Sequence, residues 1–381
     1  MAAHPRAWAL FAAALLLAPH GFASGMGLTV LTQIAIAIIA CLSYNLLLGE
    51  GGMLSFGHAV YTGMGGFAAL HALNQLAPHG LPVSLVPLVG GLTGAAVALV
   101  FGYFCTRRGG TAFAMITLGL GELVLATVLM LPGVFGGEAG LSGNRVVGAP
   151  WWGITFGPPI ELYHLVACYT FGAALLMAAF TQTPLGRLLN AVRDNPQRVA
   201  YLGYDPRSIR HRAFVVAGFF AGLAGGLGAL SLEIVNADAV AAARSGSYLL
   251  FTFLGGVGHF FGPVLGAVLM VLSATLLGTV TQAWGVYLGL IFLLAVLVAP
   301  QGLAGWLASG AQPEGRAGTA VRSWRARGAH RLGSWLGVLA VGGGTVLLVE
   351  LLYHWRQGGV LGPVLRMFGL DLDTRDPWPW S

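Results

Sequence analysis

Long apolar runs, separated by short polar or glycine-rich turns, form the dominant pattern along the chain. The runs cover residues 28–48, 59–73, 83–105, 112–131, 162–180, 213–235, 286–298 and 332–353. A helix needs about 20 residues to cross the hydrocarbon core of a bilayer, and several of these runs have that length. The pattern predicts an all-α, polytopic membrane bundle of about nine to eleven transmembrane segments.

The same pattern divides the chain into four parts. Residues 1–27, in which Arg6 precedes an apolar stretch, are typical either of a first span or of a signal peptide. The transmembrane domain covers 28–305 and includes a polar loop at 183–212. A basic cytoplasmic linker at 306–331 precedes an extension, 332–381, that holds one more apolar run.

Two glycine-rich stretches, near 49–58 and 255–263, interrupt the apolar pattern and predict broken helices. Backbone groups that leave a helix inside a bilayer must bind protein or water, and broken helices in transporters often mark the solute path. The polar side chains at the first break are therefore candidates to line such a path: Asn45, Glu50, Ser55 and His58. The alternative interpretation makes 49–57 a cytoplasmic turn and His58 a hydrogen-bonded packing residue.

Glu122 is a further candidate for the path, because it lies near the middle of an apolar run. An ionised carboxylate is costly at that depth. We therefore expect Glu122 to face the bundle interior, to be paired or to be protonated. A contact with a substrate ammonium group and a structural hydrogen bond to a neighbouring helix both fit this position.

Small residues recur at helical spacing in two later runs. They are Gly218, Gly222, Gly226, Gly262 and Gly266. Glycines on one helix face let a second helix approach closely. The spacing predicts tight helix packing, either within this chain or with a second membrane subunit.

The segment 183–212 is the one long polar stretch between apolar spans that also carries an apolar periodicity. Its six arginines outnumber two acids, and its leucines and valines recur every three or four residues. Pro196 predicts a break near Asn195, and Gly203 predicts a helix end. We interpret the segment as a docking surface for another protein; an ordinary cationic loop without a partner is the alternative. The residues we assign to docking are Gly186, Arg187, Arg193, Asp194 and Gly203.

The distribution of arginines indicates which side each loop faces. The segment 183–212, the pair Arg107 and Arg108 and the basic linker fall on one face, which the positive-inside rule assigns to the cytoplasm. Arg145 and Arg244 fall on the other face. This assignment requires the region 248–277 to cross the membrane an even number of times.

Composition supports the membrane assignment and limits the chemistry. The chain is 56% hydrophobic and 8% charged, against about 25% charged residues in soluble domains. All 19 basic residues are arginine, so the lysine that phosphate-binding loops of ATPases need is missing, and ATP-driven work requires a partner. The three cysteines and scattered histidines predict no metal site or cofactor, and the net charge of +6, which sits in loops, does not indicate nucleic-acid binding.

Seven segments, in order, carry a resemblance to a known family. They are LSYNLLLGEGGMLSFGHAVYTGMGGFAA (42–69), GTAFAMITLGLGELV (110–124), GGEAGLSG (136–143), TPLGRLLNAVRDNPQRVAYLGYDP (183–206), RAFVVAGFFAGLAGGLGA (212–229), LGGVGHFFGPVLGA (254–267) and LVAPQGLAG (297–305). The chain resembles the permease subunits of branched-chain amino acid ABC importers, in particular those of the LivM type. The extension 332–381 departs from that resemblance.

The resemblance implies a bacterial inner-membrane importer, with a second and different permease subunit, two ABC ATPase subunits that bind the ATP, and a periplasmic solute-binding protein. It implies that 183–206 is the loop that couples to the ATPase. Branched-chain or related amino acids are the expected substrates, with urea, a short amide or another small polar solute as the alternative. A secondary transporter or channel, and a membrane-embedded enzyme that uses Glu122 and His58, are remote alternatives.

Overall fold

The computed structural model describes residues 5–22, 24–146, 155–277, 302–309, 364–367 and 370–373, together with Gly289. The predicted spans 286–298 and 332–353 and the basic linker 306–331 lie largely outside the described residues. The chain divides into two units: 1–275 with 292–307, and 276–291 with 308–381. Everything below concerns the first unit, except for one strand pair.

Helices make up nearly all of the described chain. They are α1 (Pro5–Gly21), α2 (Gly25–Asn45), α3 (His58–Gln75), α4 (Val86–Cys105), α5 (Thr111–Met130), α6 (Pro132–Phe135), α7 (Pro159–Gln182), α8 (Pro184–Asp194), α9 (Pro196–Tyr201), α10 (Pro206–Leu232), α11 (Ala242–Gly255), α12 (Gly262–Leu272) and α13 (Gly302–Ser309). Two π-helical turns, Leu46–Glu50 and Ser273–Leu277, extend α2 and α12. Short 3-10 turns occupy Ala77–His79, Val83–Leu85 and Ala237–Ala239.

Five described helices are long and apolar enough to cross a membrane: Gly25–Glu50, Val83–Cys105, Thr111–Met130, Pro159–Gln182 and Pro206–Leu232. They correspond to five of the apolar runs in the sequence. The predicted all-α membrane bundle is therefore confirmed. Both predicted breaks are confirmed as well, because α2 and α3 are separated by a non-helical segment, and so are α11 and α12.

Helix α10 lies at the centre of the bundle, against α2, α3 and α4. Glycines allow this approach: the backbone at Gly222 lies directly against the carbonyl of Gly90 in α4, and a Cβ at Gly226 would lie 3.0 Å from Pro87 Cα. Gly218 faces Ala98 and Gly94 on the same helix. The glycine face of α10 therefore packs within this chain, which is one of the two arrangements that the spacing allowed.

Helix α1 packs onto the same bundle. Its Trp8 and Phe11 lie against Phe171 of α7 and Phe261, with ring centroids 5.3 to 6.2 Å apart. The Tyr163 hydroxyl donates a hydrogen bond to the Leu15 carbonyl, at 2.6 Å. Residues 5–21 thus form a helix that is part of the aromatic packing of α7.

Some local structure differs from the sequence expectation. The span predicted to start at 213 starts at Pro206, because Asp205 caps α10 by accepting hydrogen bonds from the amides of Arg207 and Ser208. Two short antiparallel pairings are additions: β1 (Leu141–Ser142) with β2 (Ile234–Val235), and, in the second unit, β3 (Val364–Met367) with β4 (Leu370–Asp373). The first pairing ties the loop after α5 to the end of α10.

Candidate functional site

Residues 183–205, which we call the coupling segment after their predicted role, contain three helix N-terminal caps of the same type. In each, a capping side chain precedes a proline: Thr183 before α8, Asn195 before α9 and Asp205 before α10. The capping oxygen binds a free amide of the first turn, and proline suits the first helical position because it needs no amide partner there. Gly203, with φ of +87°, ends the turn after α9. Local sequence therefore determines where the helices of this segment begin.

The inner face of the coupling segment is buried against the bundle. Leu189, Val192 and Val199 are buried, and Gly186 lies against the Phe180 carbonyl so closely that a Cβ would clash. The outer face carries the exposed side chains of Arg187 and Asp194, and the partly exposed Arg193 side chain lies at the edge of this face that is nearest to α2. An amphipathic helix is thus held rigidly, with a mostly cationic surface turned outwards.

Large apolar side chains cover the tip of the coupling segment. Tyr201 is 90% exposed and Leu202 is 70% exposed, and Tyr204 is exposed beside them. Exposed apolar patches on a polar surface are typical of protein contact sites. These residues are not among those predicted from the sequence to dock a partner, although they form a visible tyrosine–leucine cluster in an otherwise polar loop.

Helix α8 lies directly on the turn at the end of α2. The Arg193 guanidinium donates a hydrogen bond to the Gly49 carbonyl, and Asn190 Nδ2 donates to Glu50 Oε2 at 2.5 Å. Gly52 has φ of +61°, and a Cβ there would lie 2.7 Å from Arg193 Cγ. The predicted docking loop and the first break, which the sequence indicated separately, are therefore in direct contact in the structure.

A cavity of about 520 Å³, which we call the Arg193 cavity, opens beside this contact. It lies between the end of α2, the end of α7, α8 and the loop that joins α11 to α12. Its charged lining consists of Glu50, Arg187 and Arg193, and Phe260 contributes an apolar wall. A change in the position of α8 would therefore alter the shape of this cavity directly.

After the π-helical turn that ends at Glu50, the chain runs back alongside α2 before α3 begins. The Tyr44 hydroxyl donates to the Ser55 carbonyl at 2.8 Å, and Ser43 Oγ lies 2.9 Å from His58 Nε2. The Phe56 amide donates to Thr117 Oγ1 at 3.1 Å. Protein groups thus bind the backbone at Ser55 and Phe56 in the unwound segment, which favours its burial within the membrane. Helix α3 starts beside Ser43, roughly two helical turns before the π-helical turn ends at Glu50.

Asn45, Ser55 and His58 are all buried around this returning segment. Among the described residues, Asn45 Oδ1, Ser55 Oγ and His58 Nδ1 have no hydrogen-bond partner. The ring of His58 lies 5.1 Å from that of Tyr44 and 6.3 Å from that of Tyr248 in α11. The structure therefore brings Ser55 and His58 together with Tyr44 in one polar layer, whereas Asn45 lies against Gly49 and Glu50 lines the Arg193 cavity.

Glu122 is not part of this layer. It is exposed on the outer face of α5, next to exposed Leu123, and it has no salt bridge within the described part of the chain. Of the three alternatives predicted for Glu122, an interior position is not found within the single chain, because Gly121, not Glu122, faces the bundle near Gly57; pairing and protonation stay predictions. The carboxylate is thus available to a neighbour outside this chain.

Gly262 and Gly266 lie between α11 and α12. The backbone of Gly262 touches Gly255 and Gly256, and Gly266 touches the Phe251 carbonyl. These glycines of α12 let it pack closely against α11. No group of three potential metal-binding side chains occurs among the residues that the structure describes.

Comparison with known proteins places the whole arrangement in one family. The profile of the family described as branched-chain amino acid transport system / permease component matches residues 26–299. The high-affinity branched-chain amino acid transport system permease protein LivM of Escherichia coli (strain K12) is 28% identical, over 71% of this chain and 68% of that protein.

Two further relatives broaden the comparison. The probable branched-chain amino acid transport permease protein LivH of Methanocaldococcus jannaschii is 27% identical, over 66% of this chain and 82% of that protein. The autoinducer 2 import system permease protein LsrC of Escherichia coli O9:H4 (strain HS) is 29% identical, over 55% of this chain and 69% of that protein. No solved structure matches. With a profile match that spans five long apolar helices and the coupling segment, the chain belongs to the family of permease components of branched-chain amino acid transport systems.

Proposed function

We propose that the chain is a permease subunit of an ABC importer that carries branched-chain or related amino acids across the bacterial inner membrane. The family match over residues 26–299 is the observation that carries the proposal. The named substrates of the LivM and LivH relatives support the substrate class. ATP is bound and hydrolysed by separate ATPase subunits, and a periplasmic binding protein delivers the solute.

The ATPase docks on the cytoplasmic face of the coupling segment. Tyr201, Leu202 and Tyr204 supply exposed apolar area, and the surrounding arginines supply charge that steers and orients an acidic partner. This combination of an apolar centre with a charged rim is typical of a specific protein interface. It favours docking over the alternative of a cationic loop without a partner.

Motion passes from the docked ATPase to the first break through α8. Arg193 and Asn190 hold the end of α2 at Gly49 and Glu50, and Gly52 fits against the Arg193 side chain. Because Gly186, Leu189 and Val192 are packed without space, α8 moves as a rigid body. A displacement of α8 therefore shifts the segment that carries Ser55 and His58, and opens or closes the path.

A second and different permease subunit packs on the outer face of α5. Glu122 and the large apolar residues Met115, Leu123 and Met130 are exposed there. An ionised carboxylate facing lipid is costly, whereas a polar group on the neighbouring subunit satisfies it. We assign this face to the heterodimer contact.

Import of a different small polar solute is the second candidate function. The LsrC relative is named for autoinducer 2 import, so this kind of permease is not restricted to amino acids. Urea and short amides belong to the same alternative. The binding protein, rather than the permease, then determines the solute.

Uptake by cells that lack this chain tests the proposal. The expected result is loss of radiolabelled leucine, isoleucine and valine uptake when the partners are intact, with recovery on re-expression. Normal uptake of all three amino acids without the chain would contradict the proposed substrate class. Loss of urea uptake alone would favour the second candidate.

A further inference from the structure

A second cavity, which we call the Arg244 cavity, lies near the opposite end of α2 and α10 from the Arg193 cavity. Its volume is about 140 Å³. Gln33 and Ala37 of α2, Asn236, Arg244 and Tyr248, and Met270 of α12 contribute to its lining. Helices α2, α3, α10, α11 and α12 and the segment between α10 and α11 thus converge on one small space.

One end of this cavity is polar and cationic. Arg244, an exposed residue, is its one charged group among the described lining residues, and Tyr248, one turn later in α11, lines the cavity beside it. Asp238 acts on Arg244 electrostatically but does not form an ion pair with it within the described structure. Asp238 instead accepts a hydrogen bond from Asn236 at 3.1 Å. The guanidinium therefore retains donors for an external anion.

Most of the remaining lining is apolar, and Gln33 and Thr62 are its further polar residues. Ile36, Ala37, Met270 and Val271 form its walls. Gly228 also lines it, and a Cβ built on Gly228 meets no atom within 4 Å, so the space beside its backbone is open. An apolar cavity of about 150 Å³ in another protein holds benzene, which has as many carbon atoms as leucine.

The Arg244 cavity adjoins the polar layer of the first break. Tyr248 lines the cavity with its own ring and lies 6.3 Å, centroid to centroid, from the ring of His58. The Ser245 hydroxyl accepts a hydrogen bond from the Ala59 amide at 2.8 Å, which fixes α11 to the start of α3. A solute in this cavity is thus separated from the Arg193 cavity by the layer that contains Tyr44, Ser55 and His58.

We propose that the Arg244 cavity is a binding site for a small aliphatic amino acid, whose α-carboxylate binds Arg244. This site rests on the proposed import function and adds a substrate contact to it. The planar guanidinium binds a carboxylate through two parallel hydrogen bonds. The apolar walls receive the side chain, so the arrangement selects a molecule with an anionic end and an aliphatic end.

Transport by charge variants is the first test. Arg244→Met is expected to lower the uptake kcat/KM for L-leucine at least about tenfold, since a charge-assisted contact is lost. Arg244→Lys is expected to recover part of it. Arg108→Met, which removes an exposed arginine that lines neither cavity, is the matched control. Equal uptake by the Arg244→Met variant and by the unchanged protein would overturn the proposal.

Thiol labelling of the intact complex is the second test and does not require transport. Gly228→Cys is introduced with Cys168→Ser, because Cys168 is the exposed cysteine and Cys41 and Cys105 are buried. An anionic methanethiosulfonate reagent is expected to label Cys at position 228 several times faster than a cationic one, and Arg244→Met is expected to abolish that preference. Millimolar L-leucine is expected to slow labelling, whereas leucinamide, which lacks the carboxylate, is not.

These readouts separate the two proposals. If the complex transports no amino acid but labelling is still faster with the anionic reagent, the proposed amino acid substrate is wrong, whereas anion binding at Arg244 is supported. If leucine is transported and Arg244→Met changes neither uptake nor labelling preference, the Arg244 site is wrong and the import proposal remains. Protection by leucinamide equal to that by leucine would also overturn the carboxylate contact.

Discussion

The two cavities of the bundle differ in what surrounds them. The Arg193 cavity is about 520 Å³ and is lined by α8 and by charges of both signs, whereas the Arg244 cavity is about 140 Å³ and has one charged lining residue among those described. The larger one adjoins the surface assigned to ATPase docking, and the smaller one fits a solute. The difference indicates separate roles for the two ends of the bundle. The end with the Arg193 cavity transmits the motion of the ATPase, and the end with the Arg244 cavity binds the solute.

Removal of the exposed apolar side chains of Tyr201 and Leu202 is expected to have the largest effect, on the affinity for the ATPase. The double substitution Tyr201→Ser with Leu202→Ser removes two exposed side chains that would be buried by the ATPase. Burial of each is worth about 1.5–3 kcal/mol, so we expect ATPase affinity to fall about 100-fold or more, as measured by co-purification at graded salt. Unchanged affinity would place the docking surface elsewhere; folding of the variant is checked by its elution profile.

Alanine at Gly52 is expected to disturb the contact between α8 and the first break. Its φ is +61°, and a Cβ would lie 2.7 Å from Arg193 Cγ. Gly80 is the matched control, with φ of +107° and no atom within 4 Å of its Cβ position. Both substitutions carry backbone strain of about 1 kcal/mol or more, but only Gly52→Ala should lower uptake, roughly tenfold or more. Equal uptake by the two variants would contradict the contact.

The Arg193 side chain is expected to govern the efficiency of coupling. A hydrogen bond to a charged group contributes about 1.5–3 kcal/mol, so Arg193→Met should lower solute transported per ATP hydrolysed about tenfold. Arg187→Met is the comparison, because Arg187 lines the same cavity and is exposed, with no hydrogen bond recorded for its side chain in the described structure. The same loss of coupling in both variants would show that charge near the cavity, not the Gly49 contact, is responsible.

The smallest effect is expected at Glu122. Glu122→Gln keeps the shape and a polar group but removes the charge, so association with the second permease subunit should weaken a few-fold at most. Glu122→Leu removes both the charge and the polar group. Quantitative co-purification measures how strongly each variant associates with the second permease subunit. Unchanged association of both variants would place α5 against lipid and not against a subunit.

The sequence predicts local features of this molecule well. Apolar length predicts the five long helices, and glycine with proline predicts the breaks at 49–58 and 255–263. Asn195 and Pro196 predict the boundary between α8 and α9 because capping depends on neighbouring residues. The same reasoning, applied to Asp205 and Pro206, would have placed the start of α10 correctly.

Contacts between distant residues are what the sequence does not predict. The hydrogen bond of Arg193 to Gly49 joins residues 144 positions apart, and the Arg244 cavity needs α2 and α3 to meet α10, α11 and α12. The direction that Glu122 faces is also not predicted, because an apolar run as uniform as α5 has no polar face to define its interior. Such features depend on packing and not on periodicity.

Cross-linking of α8 to the end of α2 tests most directly the claim that they move together. With Cys168→Ser, the pair Glu50→Cys and Asn190→Cys replaces the side chains that are joined at 2.5 Å. A short bifunctional thiol reagent is then added to the assembled transporter, and leucine uptake per ATP is measured. The account predicts efficient cross-linking, with coupling restored to the linked protein. Failure to cross-link, or a link that forms and stops uptake, would contradict it.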